Sequence, residues 1–142
     1  MKINIIYLIV GIFNLLSAFT QTRDGLKNAL NILNNSEIDN GTKIVLTYVW
    51  HIVGIENLVI GIALLIMAFI KVKENVKFTA WVIIAILIAR LIVTPIFTFM
   101  KSKSGLFDIL IDTIALIGMI ILLFFGTILN SKAIIKKQKT SA

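Results

Sequence analysis

The sequence predicts an all-α fold, an integral membrane bundle of four helices running up-down-up-down, and three observations carry that expectation. Of 142 residues, 58% are hydrophobic and only 15% charged, well beyond the apolar share of a soluble domain with a polar surface. Four apolar runs, about 3–20, 44–70, 78–100 and 106–129, approach or exceed the roughly 20 residues needed to cross a hydrocarbon core of about 30 Å. The segments between them are polar or basic. Residues 1–142 are therefore read as a single transmembrane domain.

Charge and composition narrow the function classes. The formal charge of +7 sits at the ends of the runs, where the positive-inside bias places it, and is not read as a nucleic-acid surface. With the N-terminus inside, the inner flanks carry Lys2, Lys71, Lys73, Lys77, Lys132, Lys136, Lys137 and Lys139, and the outer ones Arg23, Lys27, Lys43, Lys101 and Lys103. Both termini are thus expected in the cytoplasm, with the chain multi-pass in the cell membrane. The basic tail 130–142 should meet anionic lipid head groups. Cysteine is absent and His51 is the one histidine, so no thiolate or zinc site is expected, and no cofactor. The expected partners are the lipid bilayer, a small or amphipathic ligand, and a second copy or partner membrane protein.

The first run begins with a short basic stretch but lacks a clean small-x-small exit around Ser17, Ala18 and Phe19, so a retained helix is expected over a cleaved leader. Asn4, Tyr7, Gly11, Asn14, Ala18 and Gln21 recur at steps of three and four. They form one stripe that should face other helices, because lipid offers an amide no partner. From 21 to 43 the chain turns polar. Leu26, Ala29, Leu30 and Leu33 within it keep helical spacing and suggest a short amphipathic helix on the outer surface.

The second run partly repeats the first: Ile9 to Leu15 aligns with Ile52 to Leu58, differing only at Phe13 and Glu56. Transporters use inverted repeats to build midplane sites. Coincidence or a shared glycine and asparagine packing device explains so short a match better. Thr47, Trp50, Gly54, Asn57 and Gly61 make this helix's small and polar stripe, flanked by His51. In the third run Pro95 should free the carbonyl of Leu91 one turn earlier. Arg90, Thr94, Phe97 and Lys101 share a face. In the fourth, Gly105, Asp108, Asp112, Ala115, Met119 and Gly126 form a stripe.

Depth decides which polar residues could meet. Counted from the outer ends at about 1.5 Å per residue, Asn14, His51, Thr94 and Asp112 lie roughly 9 to 11 Å down, with Glu56 and Arg90 deeper and level with one another. A charge at a membrane helix centre costs about 2.5 to 3.5 kcal/mol on insertion scales, so it is expected to be paired and to mark a site. The ligand-binding candidates are Asn14, Trp50, His51, Glu56, Asn57, Arg90, Thr94 and Asp112, lining an outer-half pocket closed below by a Glu56–Arg90 ion pair. An ideal wheel complicates this, because Glu56 lies about 180° from Thr47 and 140° from His51. Either Glu56 faces the third helix or it meets another subunit, and Arg90 has Asp112 as an alternative partner. A purely structural role for these charges competes with the pocket. A catalytic role would use His51 as proton carrier with Glu56 or Asp112, but no nucleophile motif, metal cluster or phosphate loop accompanies it.

Four short-looped helices, a glycine-spaced second helix, the Ala89, Arg90, Leu91 triplet and an acidic residue before Ile114, Ala115 and Leu116 together resemble the small DoxX-like bacterial membrane proteins. That resemblance implies the four-helix topology and makes Arg90 and Asp112 the paired intramembrane positions. It implies a membrane redox complex as one alternative function, since DoxX is associated with a thiosulfate:quinone oxidoreductase. The leading expectation is a small membrane protein that binds a ligand or assists a membrane transport complex, with a structural or immunity-type protein as a further alternative.

Overall fold

The computed structural model describes residues 3–24, 31, 33, 35–70, 73–101, 107 and 109–139, with side chains described at 3–23, 31, 33, 35–70, 76–100, 107 and 109–128. It is all-α, with four long helices in chain order and no strand among the described residues: α1 Ile5–Asp24, α2 Asn40–Phe69, α3 Lys73–Lys101 and α4 Leu110–Lys139. Each contains a stretch long and apolar enough to cross a membrane. The amphipathic helix expected through Leu26, Ala29 and Leu30 lies outside the described residues.

The helix ends follow local chemistry. Asn4 caps α1, its Oδ1 accepting from the backbone N of Ile6 at 3.1 Å and of Tyr7 at 3.4 Å, which satisfies donors that a helix start leaves open. Asp39 caps α2, accepting from the Thr42 N at 3.0 Å and from the Thr42 hydroxyl. That cap is why α2 starts at Asn40, earlier than its apolar run. The α1 helix continues to Asp24 and so takes in Gln21. The α4 helix begins at Leu110 with Asp112 in its first turn, where a carboxylate complements the positive end of the helix dipole. It then runs on to Lys139 through part of the basic tail, a stretch with no Gly or Pro after Gly126 to stop it. Pro95 lies inside α3, which continues past it to Lys101.

Hydroxyls on apolar helices are satisfied within their own turn. Thr22, Thr47, Thr98, Thr113 and Thr127 each donate to the carbonyl four residues earlier, at 2.7 to 2.9 Å. This lets threonine sit in an apolar span without a partner on another helix.

The chain divides into two compact units, residues 8–66 in one and residues 1–7 with 67–142 in the other. In the second unit α3 packs along α4. Val76, Ala80, Ile83, Ile84 and Leu87 are buried on α3, and Leu116 and Leu123 on α4. Trp81 meets Phe124 edge to face with centroids 5.7 Å apart. The start of the chain belongs here too. The Asn4 N donates to the Ala68 carbonyl at 3.0 Å, and a Cβ on Gly126 would lie 2.9 Å from Ile6 Cγ2. Tyr7 is fully buried and its hydroxyl lies 3.1 Å from Thr127 Oγ1. Thr127 already gives its proton to the Leu123 carbonyl, so Tyr7 is the donor between them.

Each of the four helices carries large exposed apolar side chains, among them Phe19 on α1, Ile55 on α2, Phe78 on α3 and Ile111 on α4. They extend along whole helices, far beyond the isolated apolar patches of a water-soluble monomer.

Candidate functional site

The small and polar stripes of α1 and α2 meet in the unit of residues 8–66, where the two helices run side by side in opposite directions. Gly11 faces Gly61 at one end and Thr22 faces Gly54 at the other. The two stripes expected from sequence meet here. Val10, Gly11, Asn14 and Ala18 are buried on α1, and Gly54, Asn57, Gly61 and Leu64 on α2.

At the Gly11–Gly61 end the helices touch through backbone. A Cβ on Gly11 would stand 3.1 Å from the Gly61 carbonyl oxygen and 3.1 Å from the Leu65 N, and one on Gly61 would stand 2.8 Å from Leu15 Cδ2. A side chain at either position would crowd its neighbours, and the close approach that glycine allows strengthens the van der Waals packing that holds helices together in lipid. Asn14, buried one turn away, donates its Nδ2 to the Val10 carbonyl at 2.9 Å.

At the other end Gln21 is the hub. Its carbonyl lies in the last turn of α1, where no intrahelical donor remains, and it accepts from the Trp50 indole Nε1 at 3.0 Å. Its side-chain Oε1 accepts from Asn57 Nδ2 at 2.8 Å. The Thr22 hydroxyl, donating to the Ala18 carbonyl, would sit 3.3 Å from a Cβ on Gly54. The seam is thus tight and nonpolar where the glycines meet, and hydrogen-bonded where α1 ends.

Of the eight candidate residues, Asn14, Trp50 and Asn57 belong to this seam. His51 is half-buried on its flank and Glu56 is half-buried on a different face of α2, in keeping with the 140° that separates them on a wheel. Arg90, Thr94 and Asp112 lie in the other unit: Arg90 is half-buried on α3, Thr94 is exposed, and Asp112 is exposed in the first turn of α4. The helix boundary thus puts Asp112 only about 3 Å along its helix, at 1.5 Å per residue, where the sequence count from Leu106 put it deeper. Among the described residues no group of three or more His, Asp or Glu could hold a metal ion.

One participant was not among the sequence candidates. Gln21 stood at the end of the α1 stripe, but at the edge of a polar loop, and only the extension of α1 to Asp24 makes its carbonyl a helix-end acceptor. The short internal repeat now has a packing explanation. Gly11 and Asn14 of one copy and Gly54 and Asn57 of the other are all buried, while Phe13, at the position Glu56 takes in the other copy, is exposed.

Comparison with known proteins finds no matching family model, no matching curated protein and no matching solved structure.

Proposed function

We propose that this chain is a multi-pass protein of the cell membrane, its four helices crossing up-down-up-down with both termini cytoplasmic, and that it acts by binding. It holds a small or amphipathic ligand at the outer end of the α1–α2 seam, or assists a membrane transport complex. Membrane insertion is supported by the helix lengths. At 30 residues α2 and α4 are about 45 Å long and α3, at 29, is similar, enough to cross the core with tilt or emergent ends. Large exposed apolar side chains on every helix suit acyl chains.

The observation that carries the ligand reading is the asymmetry of the seam. In this topology the Gly11–Gly61 contact lies toward the cytoplasm and closes the pair, while Gln21, Trp50, His51 and Asn57 lie toward the outside. Neutral amide and indole groups beside apolar walls suit a ligand with an uncharged polar head and an apolar body. The ligand enters by exchanging its own hydrogen bonds for those that Trp50 and Asn57 make to Gln21. A structural reading draws on the same bonds, because Gln21 already satisfies both donors and the seam is complete as a helix lock.

Fluorescence separates the two. The chain has two tryptophans, so Trp81→Phe leaves Trp50 as sole reporter. Titration with a doxyl-labelled fatty amide in nanodiscs should quench Trp50 saturably, and Gln21→Leu should remove the saturable part. Quenching that rises only in proportion to the amide dissolved in the bilayer would reject ligand binding in favour of the lock.

A further inference from the structure

The α2 helix has a second stripe, distinct from its seam with α1. Val45, Val49, Ile52, Glu56, Val59 and Ile66 follow steps of four and three, with one step of seven between the last two. The five apolar members are all exposed, at 44 to 59%. From Val45 to Ile66 the ridge is about 32 Å long at 1.5 Å per residue, one hydrocarbon thickness. Mostly β-branched residues with a single polar one near the middle form the pattern by which helices pair, the polar member fixing register and partner.

Glu56 is that polar member, 16 residues into α2 from Asn40 and 13 before its end at Phe69. Its carboxylate takes part in no hydrogen bond or ion pair among the described residues, in contrast to Gln21, Trp50 and Asn57. A mid-span carboxylate is costly unless something pairs with it. The sequence left two partners open, Arg90 and a group on another subunit, and the exposed ridge on either side of Glu56 favours the second.

We infer that the Val45–Ile66 ridge docks a transmembrane helix of a different protein, one that carries a Lys or Arg near its middle to meet Glu56. Charge complementarity selects this occupant. A second copy presenting the same ridge would bring Glu56 against Glu56, and like charges in a low-dielectric setting repel. A small cation would use Glu56 alone, whereas a helix with a basic residue near its middle meets Glu56 at its depth and packs against the β-branched residues on either side of it. The inference rests on the membrane reading above and gives the accessory role a partner chemistry.

The test uses the full chain in nanodiscs, labelled at Ala142→Cys, which is unique because the native chain has no cysteine. The probe is a dye-labelled 24-residue Leu/Val helix with one central Lys, compared with its all-apolar parent, and energy transfer reports association. The Lys probe should bind roughly tenfold tighter than the parent, a difference of about 1.4 kcal/mol. Glu56→Gln should erase that preference, Glu56→Asp should keep it, and Glu56→Lys should transfer it to a probe with a central Glu. Val59→Trp, which leaves the charge in place, should weaken the Lys probe. Equal binding of Lys and parent probes overturns the inference, as does a preference unchanged by Glu56→Gln. Dodecylammonium that displaces the Lys probe from Glu56 at stoichiometric levels would assign the site to a small cation instead. Stronger self-association of Glu56→Gln would point to a second copy and also reject it. Failure of the chain to incorporate into nanodiscs would reject the membrane reading, a result distinct from incorporation without probe binding.

Discussion

In the α1–α2 pair of residues 8–66 glycine brings one helix against the other's backbone, whereas the α3–α4 pair meets through side chains such as Trp81 and Phe124. Gly11 and Gly61 bring two backbones together. Leu87, Leu116 and Leu123, with Trp81 against Phe124, fill the other pair. Lipid removes most of the hydrophobic drive between helices, so close backbone approach and interhelical hydrogen bonds gain in relative weight. The first pair uses both devices. The second depends on filling volume. The two pairs should therefore fail in different ways when altered.

The largest expected effect comes from adding bulk to the glycine seam. Gly61→Leu should cost about 3 kcal/mol, at the upper end of overpacking penalties, because Leu15 and the Gly11 carbonyl already fill the space a side chain would enter. Gly118, with nothing within 4 Å of its added Cβ, supplies the control, and Gly118→Ala should raise stability by roughly 0.5 to 1 kcal/mol, the gain from replacing a mid-helix glycine. Reversible unfolding in detergent micelles measures both. Equal losses at Gly61 and Gly118 would break the comparison.

In the second pair the matching experiment removes volume. Leu123→Ala, at a fully buried position, should cost about 2 to 3 kcal/mol by leaving a cavity while the α1–α2 contacts stay intact. A change in Trp50 emission on adding Leu123→Ala to the Trp81→Phe background would show that the two pairs do not fail separately.

Hydrogen bonding across the seam is a smaller quantity. A double-mutant cycle of Gln21→Leu and Asn57→Leu should give a coupling of about 0.6 to 1.7 kcal/mol, the range for interhelical hydrogen bonds in membranes. Additive losses would remove Gln21 from its place as hub.

Much of this first pair was legible in the sequence. Steps of three and four through Asn4, Tyr7, Gly11, Asn14, Ala18 and Gln21 chose the buried face of α1, and Thr47, Trp50, Gly54, Asn57 and Gly61 chose that of α2, because an amide or glycine among Ile and Leu marks a face by contrast. No such contrast exists across much of α3 and α4, where Ile and Leu occur all round. There Leu87 and Leu123 could not be told from Ile88 and Leu122 before the fold was known. Helix ends were also hidden. The cap at Asp39 and the extension of α1 to Asp24 depend on hydrogen bonds that an apolar run does not announce, and Asp112 moved to a helix start for the same reason. The candidate site was accordingly legible as a seam through Asn14, Trp50 and Asn57, while Arg90, Thr94 and Asp112 fell in the other unit.

The smallest effect lies outside both pairs, at the start of α2. The Thr42 hydroxyl, and next its amide, hold the Asp39 carboxyl below the ordinary aspartate range. A lowered folded value means the cap's contribution is complete above the ordinary aspartate pKa and is lost as pH falls through the lowered one. The Thr42 amide resonance should therefore move in acid with a midpoint below that of an unstructured aspartate, and Asp39→Asn should abolish the movement. A midpoint at or above the ordinary value would remove Asp39 as the charged cap.

The register of the α1–α2 seam is the claim on which the rest depends, and cross-linking tests it most directly in a chain without native cysteine. Thr22→Cys with Gly54→Cys should form a disulfide rapidly under mild oxidation in membranes, since the Gly54 Cβ would lie 3.3 Å from Thr22 Oγ1, the atom whose place a cysteine sulfur takes. Thr22→Cys with Leu58→Cys, one turn along α2 and on its exposed side, should cross-link far more slowly. The reverse order of rates would contradict the seam and, with it, the placement of Gln21, Trp50 and Asn57 at a common site.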